Sequence, residues 1–243
     1  MIRTVLIDYD GTLHDSDSVL RDSLDGILGL RGDELYRIYL HEIHRGIVHK
    51  YYPERHDDLL FHCSLIYSYL RRPFEAPTAT LFCRRFMEAE DRSWRDPIYF
   101  DDVLPALEMM KRGGLRLYLS TGRDAERKAE ALERYAGKKL FEGVFSEPSI
   151  GHLKSKPEYY LAVLKSSGSK AEETVSIGDS PMTDIGPAKI IGIKTIWVNR
   201  RREPQPNQEE LKPNYEVSGL LEAARLIQAI NERLNIWPPE NSF

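Results

Sequence analysis

The chain has 243 residues, with 34 lysines and arginines against 38 aspartates and glutamates and a net charge of −4. That length suits one large domain or two small ones, and it buries roughly 70–75% of the unfolded surface without a disulfide or zinc staple. Hydrophobic residues at 41% and charged residues at 30% exclude a disordered chain, and the slightly acidic balance leaves no broad basic face for nucleic acid.

Residues 2–8 are β-branched and apolar and stop at an acidic, glycine-containing turn, which predicts a first strand. The opening MIRTVLIDYDG is too acidic and too short in apolar residues for a signal peptide. No run approaches the roughly 18 apolar residues of a membrane helix. A cytoplasmic, non-membrane protein is expected. Cys63 and Cys83 lack CxxC spacing and read as small apolar residues, not as metal ligands or half of a disulfide.

From about 16 to 95 apolar residues recur at helical spacing in four sets, around Leu20–Ile27, Tyr36–Ile47, Leu59–Leu70 and Phe82–Ala89. Four consecutive helices are predicted. After Asp96-Pro97 strand and helix alternate: helices near 102–112, 124–136, 157–167 and 184–191, and strands near 115–120, 143–146, 174–177 and 194–198. Residues 201–214 carry little predicted order before a short strand at 215–217 and a last helix near 219–234. The alternation implies an α/β class with a Rossmann-like parallel sheet. Residues 1–15 and 96–243 form this core, and 16–95 form an all-helical domain inserted after the first strand.

In open parallel sheets sites form beyond the carboxyl ends of the strands. Those ends bring Asp8 and Asp10, Thr121, and Asp179 to one edge, with Lys154 and Lys156 in a nearby loop. Clustered carboxylates repel one another unless a cation sits among them. Mg²⁺ meets that need with oxygen ligands and leaves room for a phosphate. A carboxylate aimed at phosphorus can then act as nucleophile. Taken alone, an isolated Asp-x-Asp is more often a turn or a helix cap, and Ser120 stands in for Thr121 if the strand is out by one residue.

The residues DYDGTL (Asp8 to Leu13), LSTG at 119–122, a lysine near the Lys-Pro-Glu-Tyr-Tyr turn, and GDSPMTDIGPAK at 178–189 together resemble the haloacid dehalogenase superfamily. All four motifs stand in order, and the helical insert is similar to that superfamily's C1-type cap. The resemblance implies that Asp8 is an aspartate nucleophile forming an aspartyl-phosphate. Asp10 matches the general acid and base, which also offers a backbone carbonyl to Mg²⁺. Thr121 matches the hydroxyl on the phosphate, Asp179 the metal ligand, and Asp184 a further ligand or a residue supporting the ligands. The 2-haloacid dehalogenases lack an aspartate at the position of Asp10, so the match is to a phosphatase acting on a small phosphorylated metabolite. A phosphomutase on the same scaffold and a non-catalytic relative are the alternatives. For the site lysine, Pro157 reads as the helix entry, which favours Lys154 and leaves Lys156 as the alternative.

Other polar clusters read as ordinary. His41, His44 and His49 do not make an HExxH pair, since Arg45 takes the fifth position, and are expected on helix faces. Tyr51, Tyr52, Tyr67 and Tyr69 are expected in packing, Arg71, Arg72, Arg84 and Arg85 on solvated faces, and His14 near the substrate.

Overall fold

Strand β1 (Thr4–Ile7) is buried along its whole length, as a strand covered on both faces requires. It runs into a tight turn in which the Tyr9 carbonyl oxygen accepts from the backbone N–H groups of Leu13 and His14, at 2.8 and 2.9 Å. The computed structural model describes residues 1–236. Within them the chain divides into two units, one of Met1–His14 with the chain from Tyr99 on, the other Asp15–Ile98.

The second unit holds α1 (Ser16–Leu24), α2 (Gly32–Arg37), α3 (His49–Tyr51), α4 (Leu59–Tyr69) and α5 (Ala76–Arg95). Asp15 caps α1 by accepting from the Ser18 N–H at 3.1 Å, and Asp58 caps α4 by accepting from Phe61 at 2.9 Å. Between α2 and α3 the chain is a π-helix over Ile38–Val48, so the three segments form one rod. Apolar spacing predicts a plain α-helix there; spacing alone does not register the wider winding. Leu24, Leu35, Ile43, Ile66 and Phe82 are the fully buried centre of this unit. Tyr67 joins them, but Tyr51, Tyr52 and Tyr69 are exposed. These three sit at or just past helix ends; Tyr52 still packs edge to face on Phe61, with centroids 5.2 Å apart, while the expected burial in packing fails for Tyr51 and Tyr69. Arg72 and Arg85 instead donate to the carbonyl oxygens of Leu28 and Asp25, at 2.6 and 2.9 Å, closing loop carbonyls that the helices leave open.

The sheet unit continues with α6 (Val103–Arg112), β2 (Arg116–Ser120), α7 (Ala125–Ala136), β3 (Gly143–Phe145), α8 (Glu147–Ile150), α9 (Pro157–Ser167), β4 (Thr174–Gly178), α10 (Gly186–Ile190), β5 (Lys194–Val198), β6 (Tyr215–Val217) and α11 (Leu220–Ile236). Helix α8 falls where a loop is predicted; Ser146 and Ser149 cap it reciprocally. Residues 201–214 hold one short 3₁₀ turn, Glu209–Leu211. All six strands are parallel, in the order β3-β2-β1-β4-β5-β6, the α/β architecture that the alternation implies. One face packs on α6, α7 and α11 through Val5, Ile7, Leu107, Leu132 and Ile227. Leu6 and Tyr118 of the other face pack on α9 through Tyr159, Tyr160 and Val163. The strand order reverses beside β1, so the carboxyl ends of β1 and β4 flank the crevice that this topology leaves open.

Candidate active site

Asp8 follows β1 and Asp179 follows β4, with Asp184 in the turn of π-helix beyond it (Pro181–Ile185). One carboxylate oxygen from each lies within 4.8 Å of the others. Lys154 reaches into this group. Its Nζ lies 2.6 Å from Asp8 Oδ1 and 2.6 Å from Asp184 Oδ1. The first contact is a hydrogen bond; the second is an ion pair whose oxygen has no aligned donor. The Lys154 N–H donates to Glu147 Oε1 at 2.7 Å, so α8 sets the loop that aims the ammonium. Lys156 instead is exposed and stands as the N-cap residue of α9.

The electrostatics show a group short of positive charge. Burial pushes the Asp8 carboxyl up to about 8, with Asp184 and Asp179 adding to the rise against the pull of Lys154. Burial raises Asp184 in the same direction. Burial opposes the charge on Lys154, but Asp184 and Asp8 hold its ammonium protonated, well above an ordinary lysine. Three converging carboxylates, hard oxygen ligands throughout, fit a divalent cation.

Two glycines make the cluster possible. A Cβ on Gly178 would lie 2.1 Å from Asp184 Cγ, and one on Gly11 (φ +72°) would lie 2.6 Å from Asp179 Oδ2. The Trp197 indole N–H donates to the Asp179 carbonyl oxygen at 2.9 Å and fixes that strand end.

Asp10 points elsewhere. Its side chain is 47% exposed and accepts from Lys128 Nζ at 2.6 Å, with His14 Nδ1 at 3.1 Å from its other oxygen. Burial acts to raise this carboxyl, but Lys128 and His14 outweigh it and hold Asp10 ionised below the usual carboxylate range. Lys128 also donates to Thr121 Oγ1 at 3.0 Å. Ser120, the alternative to Thr121, faces the opposite way and pairs with the Tyr159 hydroxyl at 3.1 Å. His14 is buried behind Asp10 as its support.

Lys128 and Arg201 are the polar groups that sequence reasoning missed. Lys128 was legible in principle: it falls on the i, i+3, i+4, i+7 face shared with Ala125, Ala129 and Leu132, all buried. A lysine on an apolar stripe needs a partner, and Asp10 is one. Arg201, whose Nη1 lies 2.5 Å from Asp179 Oδ2, comes from the segment predicted to be poorly ordered and gave no such signal.

The model of the haloacid dehalogenase-like hydrolases matches residues 2–192. The chain belongs to that family. It is 28% identical over 231 residues to a glyceraldehyde 3-phosphate phosphatase of Methanopyrus kandleri, covering 89% of this chain and 93% of the relative. A phosphoserine phosphatase of Thermus thermophilus is 28% identical over 148 residues, 61% of this chain and 59% of that one. Among solved structures, the magnesium-bound HAD-hydrolase YfnB from Bacillus subtilis superposes with a TM-score of 0.69 at 22% identity, over 93% of this chain and 98% of that one. The L-2-haloacid dehalogenase RSc1362 gives 0.68 at 20% identity, over 93% and 99%. These two structures share the fold. In this hydrolase, no helix among the described residues is long and apolar enough to cross a membrane.

Proposed function

We propose that this hydrolase cleaves small soluble phosphomonoesters in the cytoplasm, with Asp8 as nucleophile and Mg²⁺ as the cation. The observation that carries this reading is the pair of unlike carboxylates on one turn: Asp8, buried and held by Lys154, and Asp10, half-exposed and held by Lys128. A phosphatase needs both, one to attack and one to move protons. The phosphatase names of the relatives support it.

Asp8, Asp179 and Asp184 would hold the cation, which supplies charge neutralisation for the phosphoryl oxygens. Asp8 attacks phosphorus, the bond to the ester oxygen breaks, and the phosphoryl group passes to the carboxylate. Lys154 keeps Asp8 oriented, while Thr121 and Lys128 bind phosphoryl oxygens. The incoming negative charge competes for the Lys128 ammonium and raises the proton affinity of Asp10, which takes up a proton from solvent as the ester binds. Asp10 then protonates the leaving alkoxide and afterwards takes a proton from the water that cleaves the aspartyl-phosphate. Spontaneous hydrolysis of such esters is slow enough that accelerations reach about 10²¹-fold, and fixed charges at a desolvated strand end are the means available here. The helical unit serves as a cap that selects the leaving group.

The test is a panel of phosphorylated metabolites with Mg²⁺, scored by phosphate release and kcat/KM. Turnover of one or more is expected. Halide release from 2-haloacids with no phosphate release from any ester would overturn the reading.

A further inference from the structure

Asp179 has a partner that the proposed reaction does not use. Arg201 Nη1 lies 2.5 Å from Asp179 Oδ2, and the same nitrogen lies 3.9 Å from Glu203 Oε1. The guanidinium therefore stands between two carboxylates, one inside the Asp8, Asp179 and Asp184 cluster and one outside it. The Arg201 and Glu203 side chains are 21% and 20% exposed, so water reaches the pair without surrounding it. A Cβ on Gly11 would come within 3.0 Å of Arg201 Nη2, which puts the guanidinium against the turn that carries Asp8 and Asp10.

The loop after β5 is built to hold this arrangement. Asn199, itself buried, ties the residues that follow it into a closed turn. Its Nδ2 donates to the Glu203 carbonyl oxygen at 2.8 Å, and its Oδ1 accepts from the Glu203 N–H at 2.8 Å. Its carbonyl oxygen accepts from the Arg202 N–H at 3.2 Å, and Glu216 Oε1 accepts from the same Nδ2 at 2.6 Å. Arg202 takes φ +54°, a left-handed conformation that a long side chain adopts only where its surroundings impose it. Arg200 is anchored beside it, donating to the Thr12 carbonyl oxygen at 3.0 Å and to Asp102 at 2.8 Å. A turn pinned in this way keeps Arg201 and Glu203 together, while the long Arg201 side chain retains its choice of rotamers.

Lys154 is shared by Asp8 and Asp184, and Arg201 serves Asp179. A divalent cation entering the cluster thus meets one carboxylate already neutralised and is repelled by the guanidinium upon it. An uncharged donor in that place would only orient the ligand; a full positive charge also opposes the ion. We propose, building on the assignment of Asp179 to the cation, that Arg201 is a resident counter-ion of the cluster, which a divalent cation must displace toward Glu203. The guanidinium balances Asp179 while the ion is away. It also lowers the affinity of the site, so that occupancy responds to the ambient Mg²⁺ level.

Mg²⁺ binding is measured by isothermal titration calorimetry on the full chain, without substrate. Arg201→Met should bind Mg²⁺ at least about 10-fold more tightly than the parent, the scale for removing one charge beside the ion. Glu203→Gln should bind it at least about 3-fold more weakly, because the guanidinium then has one acceptor fewer to move to. In the double variant the Glu203 effect should vanish, leaving the affinity of Arg201→Met. Both side chains are partly exposed, and circular dichroism with a thermal melt checks that each variant keeps the fold. Asp179→Asn is the control on the ligand assignment and should weaken Mg²⁺ binding. Unchanged affinity in Asp179→Asn would overturn that assignment and the role of Arg201 with it. Weaker binding in Asp179→Asn, combined with equal or weaker binding in Arg201→Met, would keep the assignment and overturn the counter-ion. Additive effects of Arg201→Met and Glu203→Gln would overturn the displacement toward Glu203.

Discussion

In the unit built on the sheet, Asp8, Lys128, Lys154, Asp179 and Asp184 are all buried, whereas in the Asp15–Ile98 unit His62 is, tyrosines aside, the one polar side chain that reaches that depth among the described residues. Burying charge is costly unless partners meet it with good geometry. The sheet unit meets that cost at a single edge, where the ends of β1, β2 and β4 meet the Lys154 loop and helix α7. The helical unit stays apolar inside and is stabilised by packing. Mutations in the two units should therefore report on different properties: chemistry and the pH response above pH 7 in the first, packing stability in the second.

The largest effect is expected from Asp8→Asn, which removes the proposed nucleophile but keeps its shape. Phosphate release should fall at least about 10⁴-fold, while circular dichroism stays that of the parent. Lys154→Ala should lower kcat/KM at least about 10²-fold and Lys156→Ala far less; the reverse order would move the site lysine by two positions. Lys128→Met removes a contact shared by Asp10 and Thr121, and a loss of about 10-fold or more, smaller than for Lys154, is expected in steady-state kinetics.

The pH response separates the units again. The folded Asp8 carboxyl binds its proton more tightly than the unfolded one, at about 8 against an ordinary 3.8. Its contribution to stability is thus complete below that ordinary value and is lost as pH rises through about 8. Asp184 shifts in the same direction, and the opposite shift of Asp10 acts only at more acid pH. In chelator the urea midpoint should fall from pH 7 to 8, above the range in which unfolding lets the histidines of the helical unit take up protons. Mg²⁺ should shrink that fall by holding the carboxylates ionised, as should Asp8→Asn; equal slopes in all three would contradict the assignment. Phe82→Ala, in the centre of the helical unit, should cost about 3–5 kcal/mol in urea unfolding and change this pH slope least of all.

Much of the sheet unit was legible because strand, turn and helix alternate with clear punctuation, and because residues at parallel strand ends are brought to one edge by topology. Asp8, Thr121 and Asp179 could be placed on that basis alone. Lys154 could be favoured over Lys156 because the family resemblance lets Pro157, read as a helix start, match the second proline of the lysine motif. Lys128 falls on the apolar stripe of α7 and so was legible as a buried lysine, but its partner Asp10 lies 118 positions away and nothing local points to it. The π-helix was invisible for a different reason: Tyr36, Leu40 and Ile43 satisfy α and π winding about equally well, and only the ring contacts of His44 and His49 tell them apart.

The place of β1 in the sheet has a consequence for how the protein is made. Thr4 pairs with Arg116 on one side and Thr174 on the other, and Asp15–Ile98 lies between β1 and both partners in the chain. A chain emerging from the ribosome N-terminus first therefore exposes its first strand with both edges open until β2 is made, and keeps one edge open until β4 is made. The helical unit, built from contacts among neighbouring helices, can fold during that wait, because local contacts close fastest. An open Val5-Leu6-Ile7 edge is a hazard for aggregation over the same period. Asp179 and Asp184 arrive only with β4 and the turn after it. The carboxylate centre is thus assembled in one late event, and a nascent chain stalled before that point carries Asp8, the proposed nucleophile, without its partners.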